Sequence, residues 1–151
     1  MKKLLLLGLT IILLLSMTAC GYNRIMREHL SNKANYHDVE ATFCSYKEID
    51  DRAYLYVSVE DKSAFDPSWK ANSEEIRLEL VGDNCNVLNE VLAKKEICEG
   101  DRISVKCSTW IYMDAAFYYV AEMKIQDKIF LSFDDGLKNI IKYVNDNKSL
   151  F

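Results

Sequence analysis

Residues 4–17, LLLLGLTIILLLSM, are apolar except for Gly8, Thr10 and Ser16. A run of about 14 such residues fits the h-region of a signal peptide and falls short of the ~20 that a spanning helix needs. Residues 21–38 are polar, with a weak apolar group at Ile25, Met26 and Leu30. That pattern suits a tether better than a packed element. From Val39 the period changes to two. Val39 to Tyr46 is rich in β-branched and aromatic residues, Ile49-Asp50-Asp51-Arg52 reads as a turn, and Ala53 to Val59 alternates. In that second strand Tyr54, Tyr56 and Ser58 take one face and Leu55, Val57 and Val59 the other.

Residues 60–75 carry the only proline, Pro67, and form the longest irregular stretch. Ile76 to Val81 alternates again, with Ile76, Leu78 and Leu80 on one side, and Gly82-Asp83-Asn84 closes it. Val87, Leu88, Val91 and Leu92 make the stripe of a short helix capped by Asn84 or Asn86. Glu99-Gly100-Asp101 is a turn, and Arg102 to Tyr112 is a long strand. Tyr118 to Ile125 and Lys128 to Phe133 flank the two-residue turn Gln126-Asp127, a second hairpin. Leu137, Ile140, Ile141 and Val144 recur at helical spacing, with Asp134 or Asp135 as the expected cap.

Strands predominate, and the short helix falls between the third and fourth. That is the layout of the OB-fold, a small antiparallel barrel. Here the last strand is doubled into a hairpin and a C-terminal helix is added. The expected organisation is a signal peptide over 1–19, a tether over 20–38 and a mainly β, OB-like domain over 39–151.

The N-terminal chemistry adds an address. Lys2 and Lys3 precede the apolar run, and Ser16-Met17-Thr18-Ala19-Cys20-Gly21 resembles a bacterial lipobox. The resemblance implies lipidation of Cys20 and a place on the extracytoplasmic face of the cell membrane. IRLELVGDNCNVLNEVL (76–92), EGDRISV (99–105) and YYVAEMKIQDKIFLSFDDGLKN (118–139) resemble uncharacterised small lipoproteins of Gram-positive bacteria that are expected to carry OB-like barrels. The resemblance covers about residues 39–145 and implies a fold, with no activity attached.

Removing Lys2 and Lys3 leaves 17 basic against 23 acidic side chains, a net charge of −6. An acidic chain lacks the overall positive field that draws in phosphate backbones, so nucleic acid is not an expected partner. After Cys20, Cys44, Cys85, Cys98 and Cys107 remain, which permits two disulfides in any of three connectivities, with four reduced, buried thiols as the alternative. Within an OB-like barrel the first and fourth strands are neighbours. Cys44 with Cys107, and Cys85 with Cys98 across the short helix, is then the favoured pairing.

No CxxC or clustered histidine suggests a metal, and His29 and His37 read as surface residues of the tether. No nucleophile, phosphate-loop or dinucleotide motif occurs, and no cofactor is implied. Asp50-Asp51 and Asp134-Asp135 fall where Asp favours turns and helix starts. A carboxylate-based hydrolase is therefore a remote reading, and a non-enzyme is expected. Aromatic side chains carry the binding expectation: Phe65 and Trp69 in the irregular loop, and Trp110 and Tyr112 at the end of the fourth strand. The sequence reading is thus a membrane-anchored binding module for an envelope component, peptide or small polar ligand. An accessory protein–protein interaction subunit is its alternative.

Overall fold

A computed structural model describes residues 21, 24–61, 75–112 and 115–146. Six strands form one sheet: β1 (Tyr36–Ile49), β2 (Arg52–Ser58), β3 (Glu75–Val81), β4 (Arg102–Tyr112), β5 (Ala115–Ile125) and β6 (Lys128–Leu131). Among the described residues three α-helices accompany them, α1 (residues 24–31), α2 (Asn84–Ala93) and α3 (Phe133–Asp146), with a short 3-10 turn at Lys33–Asn35. The sheet runs β3-β2-β1-β4-β5-β6, and a parallel bridge from β3 to β5 at Glu79 and Tyr119 closes it into a barrel.

The length of β1 makes that closure possible. Its first half, Tyr36 to Thr42, pairs with β4, and its second half, Thr42 to Ile49, pairs with β2. One strand thus serves both halves of the barrel, bending at a bulge between Phe43 and Ser45. A bulge adds a residue to one strand and sharpens its twist, which a small barrel needs to turn its corners. The turns from β1 to β2 and from β5 to β6 use left-handed residues: Asp50 (φ 56°) in the first, and Gln126 and Asp127 (φ 50° and 66°) in the second. In the second turn, positive φ at both central positions matches the right-handed twist of the flanking strands.

Alternation fills the interior as expected. Phe43, Leu55, Val57, Ile76, Leu78, Leu80, Ile103, Val105, Tyr118, Val120 and Met123 are buried together, with Leu88 and Val91 of α2 packed against them. This is the mainly β, OB-like barrel, with α2 between β3 and β4 and α3 following β6.

The segment expected to be a tether is corrected. Residues 24–31 are helical, and β1 begins at Tyr36, so the packed unit starts well before residue 39. Met26 and Leu30, four apart on one helical face, are fully buried. They join Tyr36, Val81, Tyr119 and Ala121 and, from α3, Leu137, Ile140, Tyr143 and Val144 in a second core outside the barrel. Burying a Met or Leu side chain contributes about 1.5–3 kcal/mol, enough to hold a short helix that would not persist alone.

Two cap assignments also change. Asp83 precedes α2 without a side-chain cap bond, and Asn84 turns inward instead. Its amide donates to the carbonyls of Val120 (3.4 Å) and Gly136 (3.1 Å) and accepts from Asn139 (2.9 Å), tying α2, β5 and α3 together. Ser132 caps α3, accepting from the Asp135 amide (3.4 Å) and donating to the Asp135 carboxylate (2.5 Å). Gly136 lets α3 approach β5 so closely that a Cβ there would lie 2.0 Å from the Ala121 carbonyl oxygen.

Candidate functional site

Cys20, Phe65 and Trp69 lie outside the described residues. Trp110 is half-buried against the outer core, its ring 5.2 Å from that of His29. It packs α1 onto β4. Tyr112 ends β4 opposite Ala115. His29 belongs to the packing too. One ring nitrogen lies 2.7 Å from the Thr109 carbonyl, which it can only meet as a donor, and the other lies 3.2 Å from the Asn35 amide. His37, by contrast, is exposed on β1.

The cysteine pairing does not form: all four described cysteines are free. β1 and β4 are neighbours as expected, but the register sets His37 opposite Cys107. Cys44 lies seven residues further along β1, where that strand has passed to β2; at ~3.3 Å per residue the two are over 20 Å apart along the strand. Cys85 lies in the first turn of α2, whereas Cys98 lies five residues beyond its last residue, Ala93, and is exposed. Burial pushes the Cys107 thiol up to about 12 and the Cys85 thiol up to about 11, leaving both protonated and unreactive.

The carboxylate pairs occupy separate places, Asp50-Asp51 at the β1–β2 turn and Asp134-Asp135 in the first turn of α3. Among the described residues no group of three His, Cys, Asp or Glu could hold a metal. A cleft of about 410 Å³ lies between Asp38, Glu40, Glu60, Asp61 and Arg102. Its acidic lining disfavours any polyanion.

The outer wall of β1, β2 and β3 is different. Register places its side chains in cross-strand rows, each row sharing one face. One row runs Lys47, Tyr54, Glu79 and Tyr119; the next runs Ser45, Tyr56 and Arg77; a third joins Ile49 to Arg52 and Val81. Tyr54 and Tyr56 are half-buried, so their rings remain within reach of solvent. The Arg77 guanidinium lies 5.0 Å from the Tyr54 ring centroid, and Arg52 donates to the Tyr143 hydroxyl at 2.9 Å. Arg77 also pairs with Glu79 at 3.2 Å, and Glu79 is only 1% exposed. Burial raises the Glu79 carboxyl above the ordinary carboxylate value, with Arg77 and Arg52 opposing the rise. This wall joins two flat rings to three cations, Lys47, Arg52 and Arg77, against Glu75 and the buried Glu79.

Sequence reasoning had Tyr54 and Tyr56 on the non-core face of β2, yet it placed the site in the loop and at the end of β4. What was missing was register. Only the β2–β3 pairing sets Arg77 and Glu79 beside those two rings.

The fold and this wall define an OB-like barrel with an open, aromatic and cationic β2–β3 face. No family model matches the chain, and no curated protein matches it. Among solved structures it is similar to a chain of a replication protein A heterotrimer bound to single-stranded DNA. That likeness has a TM-score of 0.40 and 8% identity over 74% of this chain and 70% of that one. It is also similar to a chain of the S. pombe Stn1-Ten1 complex, with a TM-score of 0.41 and 10% identity over 76% and 72%.

Two expectations are corrected here. The module for an envelope component, peptide or small polar ligand, with its interaction-subunit and hydrolase alternatives, does not stand, and neither does the exclusion of nucleic acid. The exclusion rested on net charge, which sums over the whole surface, whereas contact is made by one face. Here the cations gather beside Tyr54 and Tyr56, while the acidic side chains of the 410 Å³ cleft begin beyond Ser58, at the far end of β2.

Proposed function

We propose that the chain is a non-catalytic binder of single-stranded nucleic acid that uses the outer wall of β2 and β3. The observation that carries this reading is the Arg77 guanidinium stacked over Tyr54, with Tyr56, Arg52 and Lys47 in adjoining positions. Such a surface offers rings for bases and cations for the phosphates between them. Strands 2 and 3 are also where an OB barrel has room for an extended oligomer.

The reading is testable with a fluorescently labelled single-stranded dT oligonucleotide followed by anisotropy. Three phosphate contacts give a log–log salt slope of about −2, so affinity drops roughly twentyfold between 50 and 200 mM salt. Tyr54→Ala removes one stacking platform and weakens binding about 5- to 150-fold. Arg77→Ala weakens binding and flattens the salt slope by about 0.7. Absence of saturable binding at 50 mM salt, or wild-type affinity in both variants, would sink the assignment.

The lipobox-like residues 16–21 support placing this binder at the extracytoplasmic membrane face through Cys20. Labelled palmitate incorporated by the wild type and lost in Cys20→Ala is the expected result; equal labelling of both rules the anchor out.

A further inference from the structure

Among the described residues Glu79 is the one carboxylate that is buried. It points to the outside of the barrel, so the interior does not explain its burial. It lies at the closure, where β3 meets β5 through Glu79 and Tyr119. One carboxylate oxygen accepts from Arg77 at 3.2 Å; the other has no hydrogen-bond partner among the described residues. Arg77 reaches from this buried acid to the open face, where its side chain is 43% exposed over Tyr54. The guanidinium offered to a phosphate is therefore the one that neutralises Glu79.

We propose that Glu79 is a positioning residue for this face, and that it takes up a proton when a phosphate binds Arg77. The proposal rests on the reading of the face given above. A phosphate at Arg77 brings a second negative charge towards a desolvated carboxylate and competes for its counter-charge. Both effects disfavour the ionised acid. The groups that face Glu79 are Arg77 on its own strand, Tyr54 and Arg52 on β2, and Tyr119 on β5. Tyr143 of α3 lies behind Arg52, and Lys47 of β1 ends the row. Arg77 and Arg52 alone lower the proton affinity of Glu79, and Arg77 is the one the ligand engages.

The sign follows from linkage. If binding takes up a proton, affinity rises as pH falls, across the interval between the free and the bound proton affinity of Glu79. Since burial already raises the carboxyl in the free protein, that interval lies above the ordinary value of 4.5. One proton permits at most a tenfold change per pH unit.

The experiment is anisotropy with the dT oligonucleotide from pH 5 to 8 at constant salt, on wild type and Glu79→Gln. The amide keeps an oxygen for Arg77 and imitates the protonated acid. Wild-type affinity is expected to rise several-fold towards pH 5. Glu79→Gln is expected to bind at pH 8 about as tightly as wild type does at pH 5, with a flatter profile. Calorimetry of the wild type in buffers of different ionisation enthalpy counts the same proton without any variant, which covers a Glu79→Gln chain that fails to fold. Oligonucleotide binding with parallel pH profiles, or with zero proton uptake between pH 5 and 8, overturns the proton link and leaves the interface standing. Failure of the wild type to bind at any pH overturns the interface and the proposal together.

Discussion

The outer wall of β5 is as dry as the barrel interior, with Tyr119 and Ala121 at 1% and 0% exposure. Around the same barrel, the outer wall of β2 keeps Tyr54 and Tyr56 half-exposed among arginines. The strands themselves are alike: both are central, both antiparallel to their main partners, both packed inward by alternate residues. What differs is cover. α1 and α3 lie over β5 at Tyr119 and Ala121, whereas α3 meets the outer side of β2 at its Arg52 end, through Tyr143, and leaves Tyr54 and Tyr56 half-exposed. An OB barrel can close its interior with any outer wall, so the character of each wall is free to serve another purpose. Here one wall holds the helices on, and the other keeps two rings and their neighbouring cations within reach of solvent. Glu79 stands at the seam between them, which is why it is buried while facing outward.

The sharpest way to break this contrast is at Gly136. A Cβ would come within 2.0 Å of the Ala121 carbonyl, a backbone atom in a central strand that has no room to yield. Gly136→Ala should push α3 off the covered wall and cost about 3 kcal/mol or more of stability, the upper end for overpacking. Thermal or denaturant unfolding measures it; a loss under ~1 kcal/mol would mean that α3 does not sit on β5 this closely.

The sequence made the barrel legible and the covered wall much less so. Alternation in Ala53–Val59 and Ile76–Val81 placed Leu55, Val57, Ile76, Leu78 and Leu80 inside, because a strand with one buried face writes period two into the chain. The run Tyr118–Ala121 breaks that period because β5 is buried on both faces. Read alone, such a run marks a strand and leaves its second partner unnamed. α1 was illegible for a related reason: Met26 and Leu30 are two apolar residues in a polar segment, and their burial depends on a wall assembled from residues about 90 positions later. The open wall was half visible in Tyr54 and Tyr56, but Arg77 and Glu79 join them only through a register that no local pattern encodes.

The smaller effect, and the finer test, comes from α1. Leu30 is fully buried against the covered wall, and the Tyr36 hydroxyl donates to its backbone carbonyl at 2.9 Å. Leu30→Ala keeps that backbone bond and removes the side chain, so packing alone is measured. If α1 is a structural layer, the loss should be about 2–3 kcal/mol, near the lower end for buried leucines because a terminal helix can relax into the space. If the segment were a tether lying loosely on the domain, the same change would stay within about 0.5 kcal/mol, as exposed substitutions do. Tyr54→Ala, the variant expected to lose oligonucleotide binding, supplies the control from the open wall. It should lower the unfolding midpoint less than Leu30→Ala does, and Leu30→Ala should leave affinity unchanged at temperatures where it stays folded. A crossed result, with binding lost in Leu30→Ala and stability lost in Tyr54→Ala, would show that the two walls are not separate in function.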